Sequence, residues 1–194
     1  MHRGLSRPAR SVAAIVPIAL LSLSASFPAS AQSAAPGSDI QVVGPVRILT
    51  QAPTLLDLGA GIFDLVGNAH RNQTGAVDAE LRFGQRWFGI GPAIGTLINR
   101  RGGGMAYVGF DSDVAIGPIV VTPLAGFGAW WKGSNRDENL GGTFEFRLSL
   151  QAAYAFANGS RLGVRLGHIS NANTHSRNPS ENDVMATYAF PLGF

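Results

Sequence analysis

The 194-residue chain contains no cysteine. No disulfide can staple it, so an exported form must rely on a packed core or on closed hydrogen bonding. After the N-terminal leader there is no run of 18 apolar residues, which argues against a membrane-spanning helix. Net charge is missing as well. The chain holds 15 Lys and Arg against 12 Asp and Glu, but Arg3, Arg7 and Arg10 belong to the leader; 15 less three leaves 12 against 12. A neutral mature chain gives no case for nucleic-acid binding. Metal-ligand clusters are lacking too: His70 and His175 stand singly in polar loops, without partners at ligand spacing. Gly102-Gly103-Gly104 has no Lys or helix after it, so it is not a phosphate loop. No metal or cofactor is expected.

What is present divides the chain into three. Residues 1–31 read as a secretory signal peptide: three Arg, an apolar stretch from Val12 to Phe27 interrupted by Pro17, and Ala29-Ser30-Ala31 before Gln32. Residues 32–53 are rich in Ala, Pro, Gly and Ser at their start and show no period; they read as an N-terminal extension, partly ordered at best. Residues 54–194 read as strands and turns.

A strand's side chains alternate between two faces. Val77, Ala79, Leu81, Phe83 and Trp87 share one face of a strand whose other face carries Asp78, Glu80, Arg82 and Arg86. Phe144, Phe146, Leu148, Leu150, Ala152, Tyr154 and Phe156 alternate with Thr143, Glu145, Arg147, Ser149 and Gln151. Eight such strands follow: Leu55 to Val66, the Val77 strand, Ala93 to Ile98, Met105 to Ala115, Ile119 to Trp131, the Phe144 strand, Leu162 to Ala172, and a last strand to Phe194. Their connections alternate between long polar loops, such as Lys132 to Gly141, and short turns with Gly, Pro or Asn158-Gly159. The pattern predicts an all-β fold: an eight-stranded antiparallel transmembrane β-barrel of the outer-membrane type. Lipid leaves backbone groups unpaired, so such a sheet must close, and an eight-stranded lumen can be filled by side chains. Asp78, Glu80, Asp111, Asp113 and Glu145 are expected inside with Arg82, Arg86, Arg147, Arg161 and Arg165, as a paired ionic core. Trp87, Trp130 and Trp131 are candidates for interface girdles. The aromatic end at Phe194 resembles the C-terminal signal that outer-membrane proteins present to their assembly machinery.

The unusual stretch is Arg165-Leu166-Gly167-His168-Ile169-Ser170. His168 and Ser170 share a face with Leu162, Val164 and Leu166, the apolar row. A Ser–His pair is the minimum for nucleophilic acyl transfer, with a third group to orient the imidazole. On a lipid-facing row it points to a lipid substrate. The third group should come from the adjacent last strand. Counting back by twos from Phe194 puts Asn182 on the same row, as a neutral orienting group. Glu181 offers a charge but needs a bulge at Pro179-Ser180 to turn outward. Both stand as candidates. Asn171, Asn173 and Asn178 are candidate oxyanion donors.

The run His168-Ile169-Ser170-Asn171-Ala172, then Asn178-Pro179-Ser180-Glu181-Asn182 and a short aromatic-ended strand, resembles the lipid A 3-O-deacylase (PagL) family. The resemblance implies an eight-stranded barrel, a Ser-His-Glu type triad on its lipid-facing surface, and hydrolysis of the ester-linked acyl chain at the 3-position of lipid A without metal or cofactor. It carries His168 over as base, Ser170 as nucleophile and Asn178 as the oxyanion donor of the Asn-Pro loop. The motif covers about residues 161 to 194. Two positions depart from it: Asn182 stands at the family's acidic position, with the acid one residue early at Glu181, and Ser180 stands where Gly is usual.

The implied partners are lipid A or lipopolysaccharide, the outer membrane of a Gram-negative cell, and the barrel-assembly machinery. Oligomeric state is left open, a homodimer included. The competing readings are a non-enzymatic small barrel, adhesive or structural, and a soluble exported barrel with a ligand pocket.

Overall fold

The computed structural model describes residues 39–65 and 73–193. The leader, His70 and Phe194 lie outside them. Among the described residues eleven strands form one antiparallel sheet: β1 Ile40–Val43, β2 Val46–Ile48, β3 Leu55–Phe63, β4 Thr74–Arg82, β5 Ile90–Asn99, β6 Gly104–Ser112, β7 Val114–Ile116, β8 Ile119–Trp131, β9 Phe144–Ala155, β10 Arg161–Ser170 and β11 Glu181–Pro191. Among the described residues there is no helix. β3 to β6 and β8 to β11 pair in sequence, and β11 returns to β3 through Tyr188 opposite Leu58. The chain is therefore a closed, eight-stranded transmembrane barrel, as its alternation predicts.

The register tilts the strands. A row of direct partners that leaves β9 at Tyr154 passes Leu162, Tyr188, Leu58, Ala79, Thr96, Ala106 and Ala129, then returns to β9 at Phe144, nearer the outer end. Rows climb the wall in chain order, as closure with stagger requires. The outer wall is bare and apolar: Leu58, Ile94, Val108, Phe127, Leu148 and Leu166 are all exposed. A water-soluble protein does not present such a belt; hydrocarbon covers it. That removes the reading as a soluble ligand-binding barrel.

The lumen holds the expected charges. Arg165 reaches Asp57 and Asp78 at 2.7 Å each, and Arg82 reaches Glu80 at 2.6 Å. Arg86 pairs with Asp111 at 2.7 Å, Arg161 with Asp113 at 2.8 Å, and Arg147 with Asp183. Tyr107, Gln151, Thr122 and Thr187 complete the network. Each buried charge offsets its desolvation only through such partners. Glu145 differs from expectation: it is buried but makes no ion pair among the described residues. Asp57 and Asp183 join the core although their strands' alternation did not single them out.

Other details differ from the sequence reading: β4 ends at Arg82, short of Phe83 and Trp87, and the strand read from Met105 to Ala115 is broken at Asp113 into β6 and β7. β3 ends at Phe63 rather than near Val66, because Asp64 turns with a positive φ of 61°. Trp130 is not a girdle residue: it faces inward and stacks on Phe63, with centroids 5.6 Å apart, while Trp87 and Trp131 face outward. Residues 40–48 are not irregular. They form a hairpin, β1–β2, whose β2 pairs with β7. β6 and β7 keep one register on β8, interrupted at Asp113, so the hairpin is attached to the lower end of that strand.

Candidate functional site

β10 runs from the Arg161 turn toward the outer end and β11 returns. The turn between β9 and β10 fixes the face. Gly159 takes φ 81° and Asn158 accepts hydrogen bonds from the backbone and hydroxyl of Ser160 at 3.0 and 2.7 Å. Arg161 then points inward, Leu162 outward, and the alternation holds to Ser170. Leu162, Val164 and Leu166 are 54%, 51% and 54% exposed. His168 and Ser170 continue that row and are half-buried.

The register decides what surrounds the imidazole. His168 lies between Asn182 of β11 and Leu148 of β9, and Ser170 lies opposite Phe146. The Asn182 side-chain oxygen is 2.9 Å from His168 Nδ1. An amide oxygen can only accept, so Nδ1 carries the proton. In the neutral ring that tautomer puts the lone pair on Nε2, the form a general base needs. Among the described residues Ser170 Oγ makes no hydrogen bond. Same-face neighbours on a strand are about 7 Å apart at Cα, and catalytic contacts often close only when substrate is bound.

Glu181 is elsewhere. It pairs with Ile169, points inward and is buried. Ser180 does break the extended backbone, with φ 56°, but the register resumes one residue later with Glu181 on the lumen side. Of the two third-group candidates, the structure brings Asn182 to His168 and holds Glu181 away.

The three asparagines of the outer loop form a brace. Asn171 is fully buried and donates to the carbonyls of Leu140 at 2.6 Å and Arg177 at 2.7 Å. It thereby ties loop 171–180 to loop 132–143. Asn178 accepts from the Asn171 backbone at 3.1 Å, and its Nδ2 donates to Asn173 at a longer 3.3 Å. Asn171 has spent its amide N–H groups; Asn178 keeps the more available donor. His175 is exposed, and its ring occupies the space beside Gly142 that a side chain there would take.

A shallow groove of about 690 Å³ opens beside His168 and Asn182. It is lined by Leu148, Leu150, Ala125, Pro123 and Phe110. Ala125 and Pro123 are the low floor between bulkier neighbours. The row His168–Leu148–Ala125–Phe110 runs against chain order, so it descends from the outer end toward the middle of the wall. Alternation puts these residues outside, but only the register shows that they adjoin the imidazole, and no sequence signal marks them.

The profile of the lipid A 3-O-deacylase (PagL) family matches residues 67–191. Among solved structures, the crystal structure of the outer membrane enzyme PagL superposes with a TM-score of 0.54 at 22% identity, covering 71% of this chain and 99% of that one. A de novo designed transmembrane β-barrel covers 74% of this chain and 100% of its own at 16% identity, with a TM-score of 0.49. No curated protein sequence matches.

Proposed function

Because the chain belongs to the lipid A 3-O-deacylase (PagL) family, we propose that it removes the 3-O-linked acyl chain of lipid A at the outer membrane, by a Ser170–His168 mechanism. Ser170 Oγ attacks the ester carbonyl carbon while His168 Nε2 takes its proton. The tetrahedral intermediate collapses, the C–O bond to the sugar breaks, and His168 returns the proton to the departing sugar oxygen. Water, activated by the same imidazole, then releases the fatty acid from Ser170. Asn182 holds the Nδ1–H and thus the tautomer. Asn178 Nδ2 donates to the oxyanion. The groove below His168 takes the acyl chain, which descends with it into the bilayer. No metal or cofactor enters any step.

The observation that carries this reading is the 2.9 Å contact between His168 Nδ1 and Asn182 on the lipid-facing wall, two residues from a hydroxyl with no other partner among the described residues. Export through a cleaved leader at Ala31 and assembly through the Phe194 end complete the proposal.

The test is fatty-acid release from lipid A by the purified, detergent-solubilised barrel. Wild type should release one acyl chain, and His168→Ala should lose the release while remaining folded. Equal release by the two would remove the mechanism. No release by either would favour a non-enzymatic barrel.

A further inference from the structure

We propose that the β1–β2 hairpin is a lipid-binding flap, its apolar face seated in the phospholipid leaflet at the periplasmic end of the barrel. The hairpin lies before residue 67, where the family profile begins. It continues the barrel wall strand by strand. One row of direct partners leaves β8 at Val121 and passes Val114, Ile48 and Ile40. The next leaves Tyr154 of β9 and passes Ile119, Ile116, Val46 and Val43. The irregularity between Gln41 and Val43 keeps Ile40 and Val43 on the same face. Apart from Tyr154, every residue of both rows is an aliphatic Val or Ile. They begin on the lipid-facing wall, beside Leu162 and Tyr154, and nothing in the register turns them away from it.

The opposite face is polar. It carries Gln41 and Arg47, and Arg47 pairs with Asp39 at 3.2 Å. The flap is thus an amphipathic sheet joined to a membrane wall. The β4–β5 turn adds Trp87 and Phe88, which are 75% and 88% exposed. Gly89 beside them has no room for a side chain against Ile48, so turn and hairpin form one surface. Paired aromatics of this exposure suit the interface between hydrocarbon and water. The free edge of β1 sets the depth. An unpaired strand edge is not tolerated in hydrocarbon, so the edge lies among headgroups while Ile40 and Val43 reach toward the acyl chains.

The chain has no cysteine, so single-cysteine labelling is clean. Ile40→Cys, Val43→Cys, Arg47→Cys and the wall control Leu162→Cys would each carry an environment-sensitive fluorophore in the full-length barrel, reconstituted in phosphatidylethanolamine–phosphatidylglycerol bilayers. The expected result is loss of iodide quenching at positions 40, 43 and 162, with gain of quenching by lipids brominated near the headgroup at 40 and 43. Position 47 should remain open to iodide. Iodide quenching at 40 and 43 equal to that at 47 would overturn the proposal. So would shielding of 40 and 43 without lipid quenching, which would mean a protein, such as a second copy, covers the flap. A label at 162 that reads water would overturn the lipid-facing wall itself, and the flap with it.

Discussion

The two faces of the β10–β11 hairpin differ in how they treat polar groups. Inward, Arg165 and Asp183 are fully buried and each is held by an opposite charge within the lumen. Outward, one residue along, His168, Ser170 and Asn182 are half-buried and have no charged partner; a single hydrogen bond joins His168 to Asn182. The difference is set by the solvent on each side. A lumen filled with counter-charges tolerates carboxylates and guanidiniums, whereas an ionised side chain on the lipid wall costs about 2–4 kcal/mol near the midplane and less toward the interface. The acid Glu181 turns to the lumen side, although it makes no ion pair among the described residues, and the amide Asn182 sits where a charge is expensive. The inner face is built for stability, and the outer face carries the polar groups of the proposed site.

That contrast can be broken by exchanging which property each face controls. Ser170→Ala should lower lipid A deacylation by at least about 10³-fold while leaving the urea midpoint of the reconstituted barrel unchanged. A matching loss of stability would mean that the serine belongs to the structure. Arg165→Ala should do the reverse. Leaving Asp57 and Asp78 without their 2.7 Å partner should cost about 3–5 kcal/mol, read from urea unfolding in bilayers. A change below about 1 kcal/mol would show that the lumen pairs are weakly coupled.

Asn182 tests the boundary between the faces. Asn182→Ala removes the acceptor on Nδ1 and should reduce kcat more than it raises KM, by about 10- to 100-fold. Asn182→Glu should sharpen the point through pH. A carboxylate beside the imidazole favours its protonated form and raises its pKa, so the base form appears at higher pH and the acid limb of the pH–rate profile should move upward. An unshifted limb would mean that residue 182 does not sense the catalytic imidazole. The smallest effect is expected at Ser180. Its φ of 56° is costly for a residue with a Cβ, and Ser180→Gly should stabilise the loop by about 1 kcal/mol, measured as slower hydrogen exchange over residues 171–180.

Period-two alternation makes the wall and the lumen legible in the sequence, because each solvent selects its own residue types along every second position. It also places His168, Ser170 and Asn182 on one face. It offers no ground for excluding Glu181, since a bulge of one residue would exchange the two; the backbone does depart from the strand at Ser180, and only the pairing of Ile169 with Glu181 settles the side. Asp57 is obscured by the uneven alternation of the first strand. Trp130 and Trp131 are adjacent and identical in type, so residue type alone does not say which of them faces inward. The β1–β2 hairpin is illegible because its strands are short and joined at Gly44-Pro45, and its partner β7 lies far along the chain. The groove beneath His168 is a property of register across β10, β9, β8 and β6, which no single segment encodes.

The most direct test of the outward-facing site is the mass spectrum of lipid A from cells producing the wild-type barrel or Ser170→Ala, with both confirmed folded in the outer membrane. The wild type should show lipid A lighter by one ester-linked acyl chain and Ser170→Ala should show the intact species. The same spectrum from both strains would contradict the account.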